Sequence, residues 1–124
     1  RELMGSAALL APEQKIVLDT DPVRARTLGR SVVVFPYLSR VNYLNNLRSL
    51  GWTVEDISGE GSDALIDALV GHGEPDEAAA PIRSHLQAGA NHVAVQLINQ
   101  PDTDPRPGYA AIAQAVLNTN GSTP

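Results

Sequence analysis

His92-Val93-Ala94-Val95-Gln96-Leu97-Ile98 is a nearly continuous apolar run, the pattern of a strand covered on both faces of a parallel sheet. Upstream of it, Glu74-Pro75-Asp76-Glu77 places proline and acids at the start of a helix, where the free amides and the macrodipole favour them, and Gly89 ends that helix. Pro81 interrupts it, since proline lacks an amide donor, so a bend or a late helix start is expected there. Downstream, Pro107 opens a last helix with Tyr109, Ile112, Ala113, Val116 and Leu117 on one side. A helix, a strand and a helix in that order are the grammar of a βα unit.

The same grammar appears earlier in the chain. Lys15-Ile16-Val17-Leu18-Asp19 is a β-branched run, and Asp21-Pro22 after it supplies an N-cap and a first helical residue. Ala25, Leu28, Val32 and Phe35 then recur at helical spacing until Pro36. A second helix is expected with Val41, Leu44, Leu47 and Leu50 on its apolar face and Gly51 as its stop. Ser62 caps a short helix carrying Leu65, Ile66, Leu69 and Val70, with Gly71-His72-Gly73 as its terminator. The opening Arg1 to Met4 reads as the last turn of a helix capped by Gly5.

The expected fold is therefore α/β, with two parallel strands and covering helices. Two strands leave edges and helix faces uncovered, so further strands are expected from chain outside this sequence. Expressed alone, the chain is expected to be inactive, to bind no coenzyme tightly and not to form a compact monomer, but to aggregate, to self-associate into a homo-oligomer or to pair with the missing part.

The 124 residues carry a net charge of −5, and the nine Lys and Arg are scattered, so no basic stripe exists for a phosphate backbone and nucleic acid is not an expected partner. No window approaches the roughly 18 apolar residues of a membrane span, so no membrane association is expected. Cysteine is absent, which removes thiolate chemistry and leaves a cytoplasmic location as the expectation. His72, His85 and His92 lie at no metal-ligand spacing, and no metal is expected. Neither a nucleophile elbow nor a Walker loop occurs.

Three segments together resemble luciferase-like flavin and deazaflavin oxidoreductases: Ala11-Pro12-Glu13-Gln14 leading into Val17-Leu18, Asn42 through Gly51, and Gly73-Glu74-Pro75-Asp76-Glu77 running to Ala88-Gly89-Ala90-Asn91-His92-Val93. The resemblance implies the C-terminal portion of a (β/α)8 TIM barrel over residues 1–118, with a disordered tail over 119–124. Ile16–Asp19 would be the seventh strand and Val93–Ile98 the eighth. It implies a parent enzyme, deazaflavin- or FMN-dependent, that transfers a hydride to or from a small organic substrate. Its alternatives are a non-catalytic relative of such flavoproteins, a decayed copy, or a self-contained α/β interaction module.

No catalytic residue is expected within this stretch. Five residues are candidates for touching coenzyme or substrate. Gln96 is an amide inside an apolar strand, expected on the concave side of the sheet with Ala94, because an unpaired amide under a helix layer costs about 1–3 kcal/mol. Asn42, Tyr43 and Asn46 form an amide-rich cluster around an aromatic. Asp19 closes its strand at the C-terminal end, the face on which barrel enzymes place their chemistry, although an aspartate there also caps helices.

Overall fold

The computed structural model describes residues 3–121, with the side chains of 119–121 outside the description. It is an α/β structure built on a three-stranded parallel sheet in the order β2-β1-β3. The strands are β1 (Glu13–Val17), β2 (Val70–His72) and β3 (Ala94–Leu97). The helices are α1 (Pro22–Val33), α2 (Val41–Ser49), α3 (Val54–Ile57), α4 (Asp63–Leu69), α5 (Pro75–Ala78), α6 (Ala80–Gln87) and α7 (Arg106–Gly121). Between α1 and α2 lie a cis Phe35–Pro36 peptide and a single 3-10 turn, Tyr37–Ser39.

β1 and β3 run parallel with Gln14 beside Val95 and Lys15 beside Gln96, and β1 pairs with β2 through Lys15–Val70 and Val17–His72. Alternation along the strands sends Ile16, Val95 and Leu97 to one face and Val17, Val70 and Ile98 to the other. Each face has its own core. Ile16 and Leu97 pack with Ala78, Ala79, Ile82, Ile112 and Ala115 of α5, α6, α7 and the turn between the first two. Val17, Val70 and Ile98 pack with Ala25, Val33 and Ile66 of α1 and α4.

Chain order explains this division. The connection from β1 to β2 steps one way across the sheet, and the connection from β2 to β3 steps back past β1. Right-handed crossovers of opposite direction put their helices on opposite faces. The result is an open, doubly wound sheet. Strands consecutive in a barrel are neighbours in chain order with all helices outside, so the order β2-β1-β3 and the two covered faces depart from the barrel expectation, while the parallel β1–β3 adjacency agrees with it.

Local signals operate as their chemistry dictates. Asp21 accepts from the amides of Val23 and Arg24 and so caps α1, and Ser62 accepts from Leu65 and caps α4. Thr53 and Asp56 form a reciprocal capping box around α3, a helix the sequence reading passed over. Pro81 divides the expected single helix into α5 and α6. The third strand is a correction: Val70-Gly71-His72 was expected to end a helix, but α4 stops at Leu69 and the next three residues extend along β1. Gly71 allows this, because a side chain there would collide with the carbonyl of Ala78.

Other expectations shift in phase. The buried stripe of α1 is Ala25, Gly29 and Val33, and Phe35 is 64% exposed. On α2 only Leu47 is buried, while Val41 and the following Leu50 project outward, because this helix packs mainly on the 3-10 turn and α3. Ile66 and Ile112 are buried within the three-stranded structure itself. Leu3 and Met4 form a turn before Gly5, and residues 1 and 2 lie outside the description. α7 continues to Gly121, beyond the point where the tail was expected, and 122–124 lie outside the described residues.

An ionic lattice ties α1 to α4. Arg26 holds Asp67 through two bonds of 3.0 and 2.8 Å, and Arg30 bonds Asp63 at 2.6 Å. The Arg26 guanidinium holds the Asp67 carboxyl down to about 2 against burial, with His72 adding to the effect. Because this folded value lies below the unfolded value of 3.8, the contribution to stability is present above the latter and is lost as pH falls through the former. The difference in melting temperature between the parent chain and Asp67→Asn is therefore expected to narrow from about pH 5 to about pH 2. A constant difference across that range would refute the assignment.

Candidate functional site

Gln96 lies on the sheet face turned away from α6 and α7, and its strand alternates accordingly: Ala94 and Gln96 are exposed, while Val95 is half-buried and Leu97 buried against those helices. The amide thus avoids the apolar helix layer, and it shares its side with Ala94 as expected. That side is not the hollow of a barrel. It is the α1 face, which α1 and α4 cover over β1 and β2 but leave open over β3.

Beside Gln96, at the spacing of adjacent strands, stands Lys15. Its side chain is 13% exposed, and its ammonium donates to Glu13 Oε1 at 2.8 Å and to the Tyr37 hydroxyl at 3.2 Å. Burial pulls the Lys15 ammonium toward deprotonation, but the bonds to Glu13 and Tyr37 outweigh it and leave its pKa above the ordinary lysine value. The charge is therefore held at all physiological pH. Glu13, Lys15, Val33, Tyr37 and Leu69 enclose a small hollow of about 130 Å3 at this point.

Tyr37 carries the connection to α2. Its ring lies 4.8 Å from that of Tyr43, inclined at 59°, an arrangement that favours the ring quadrupoles. Lys15, Tyr37 and Tyr43 thus form a contiguous group, and Gln96 stands beside Lys15 in the strand register. Asn42 and Asn46 flank Tyr43 on α2 with exposed side chains. Lys15 and Tyr37 were missed by sequence reasoning. The available signals were a cation interrupting the strand run, and an aromatic directly after Pro36.

Asp19 stands apart, beyond the C-terminal end of β1. Both its oxygens are taken by Arg24, at 2.9 and 3.0 Å, and one also accepts from the Asp21 amide. The bond to Arg24, then that to the Asp21 amide, lowers its pKa. The side chain organises the entry to α1, and the structure does not bring it to the Lys15 group. Among the described residues no group of three or more histidines or acids is placed to hold a metal ion, and no helix is long and apolar enough to cross a membrane.

The class that these observations define is an open, parallel α/β protein with a polar, aromatic-flanked strip on one sheet face. Comparison with protein-family models, curated proteins and solved structures finds no match for this chain.

Proposed function

We propose that the chain is part of an oxidoreductase that uses a deazaflavin coenzyme or FMN to transfer a hydride to or from a small organic substrate. The observation that carries this reading is the exposed Gln96 amide on the open β3 part of the sheet face, next to the largely buried, charged Lys15 of β1. An amide offers both a donor and an acceptor, and an ammonium favours electron-rich oxygens, so the pair suits the carbonyl and ring-nitrogen edge of a flavin-type ring. The Tyr37–Tyr43 pair supplies an aromatic flank. The coenzyme provides the redox chemistry, while these residues bind and orient it. In this reading the protein works in the cytoplasm and strands beyond the three described here extend the parallel sheet, with β1 and β3 adjacent as they are here.

The interaction-module alternative draws support from a different observation: both faces of the short sheet already carry a buried core. Fluorescence titration separates the two. FMN and the deazaflavin coenzyme, each added to the whole chain, are expected to give weak but saturable quenching with at least one of them. Gln96→Leu and Lys15→Met are each expected to weaken it about tenfold, the equivalent of about 1.4 kcal/mol. Asp19→Asn is expected to leave coenzyme affinity unchanged. Absence of saturation with either coenzyme would overturn the proposal and favour the module.

A further inference from the structure

At the outer edge of β2, away from Gln96, the sheet, α4, α5 and α6 border an open groove of about 520 Å3, a size that suits a small ligand. Its polar side chains are Gln14, Asp67, His72, Glu77, Ser84 and His85, and no lysine or arginine is among the described residues that line it.

The hydrogen bonds of this cleft determine what it offers. Gln14 is 6% exposed, and its Nε2 donates to the carbonyls of Lys15 at 3.0 Å and Leu69 at 3.2 Å. With both amide hydrogens used, Oε1 must accept, so the His85 Nε2 that lies 3.1 Å from it carries a hydrogen. Asp67 is ionised and accepts only, so the His72 Nε2 at 2.8 Å from it also carries a hydrogen. In the neutral form of each ring, Nδ1 is left as a bare acceptor. Ser84 spends its hydrogen on the Ala80 carbonyl and keeps its oxygen lone pairs. Glu77 has no ion-pair partner among the described residues, and its carboxylate lies against Gly73 at the rim.

Every side-chain hydrogen in this group is already used within the protein, and what remains is a set of acceptors with one uncompensated negative charge. We infer that the cleft binds a small organic cation bearing N–H donors, a primary amine or a guanidine. Such a ligand supplies both the hydrogens and the charge that the lining lacks, and Ala68, Val70 and Pro81 offer apolar contact to its carbon chain. Among the polar side chains of the lining, an anion would meet acceptors alone. This inference is independent of the coenzyme reading, since it uses the opposite edge of the sheet and none of the same side chains.

The test is calorimetric titration of the whole chain with agmatine, tetramethylammonium and inorganic phosphate, all at one pH above the titration range of histidine. Agmatine is expected to bind at one site, and to shift the ring-nitrogen NMR signals of His72 and His85. Tetramethylammonium has the charge without the N–H groups and is expected to bind at least about tenfold more weakly, the loss of a charge-assisted hydrogen bond or more. Phosphate is expected not to bind. Glu77→Gln, an exposed substitution away from both cores, is expected to weaken agmatine about fivefold or more, in the range of a hydrogen-bonded charge pair. Equal binding of tetramethylammonium, binding of phosphate, or agmatine binding that moves neither histidine signal would each overturn the assignment.

Discussion

Ile16→Ala is expected to destabilise the chain by about 2–5 kcal/mol, the cost of removing a large aliphatic side chain from a packed interior. Ile16 is fully buried at the middle of the central strand, where it meets α5, α6 and α7 through Ala78, Ala79, Ile82, Ile112 and Ala115. The small alanines leave few flexible side chains to move into the space, so the cavity persists and the upper part of the range applies. A loss of this size is a large fraction of the usual margin of about 5–15 kcal/mol. Urea unfolding followed by circular dichroism measures it: the midpoint falls while the slope stays constant. The exposed Val23 is the control, and Val23→Ala is expected to change stability by no more than about 0.5 kcal/mol. Equal effects at the two sites would remove Ile16 from the centre of the core.

Gly71→Ala is expected to cost about 3 kcal/mol by overpacking, although it adds one methyl group. The added carbon would press on the backbone carbonyl of Ala78 and approach Ile16 Cδ1 to 3.0 Å and Pro81 Cγ to 3.1 Å. A carbonyl in a short helix cannot rotate aside as a side chain does, so β2 must move away from α5. Gly29→Ala is the instructive contrast. Its methyl would meet only side-chain atoms, Ile66 Cγ2 and Val70 Cγ2, each at 3.3 Å. It would also gain up to about 1 kcal/mol of helix propensity. Thermal unfolding of the two variants is therefore expected to separate clearly, and similar melting temperatures would show that β2 does not pass as close to α5 as described.

The parts of the fold legible in the sequence are those written in local chemistry. Asp21-Pro22, Ser62 and Pro81 set helix boundaries through caps and a missing amide, which are interactions within a few residues. The strand at residues 94–97 was legible because its apolar run is long enough to exclude alternatives. β2 was not, since three residues containing a glycine have no period to read, and only the neighbouring strand makes them extended. The sheet order is likewise a property of crossover direction, which no residue encodes. At the candidate site, Gln96 announced itself as an amide in an apolar strand, whereas Lys15 and Tyr37 acquire their significance from a contact across 22 positions of chain. Asp19 illustrates the converse: its place at a strand end was readable, and its commitment to Arg24 came only from the turn of α1.

The buried Gln14 amide has a consequence for how uniquely the strands align. Hydrophobic contacts alone tolerate sliding, because moving β1 by two positions keeps every side chain on its original face and would seat Ile16 where Gln14 now lies. The amide does not tolerate it, since two of its three partners, the Leu69 carbonyl at the end of α4 and His85 on the side of α6, do not move with β1. Shifted in either direction, it would be enclosed with its Oε1 and one amide hydrogen unmatched, and the misaligned state would be penalised far more than the native one is strengthened. A leucine at this position would keep the burial and still permit the slide. Gln14 thus acts as the notch of a key: it adds little to the strength of the joint and determines that the pieces meet in one way.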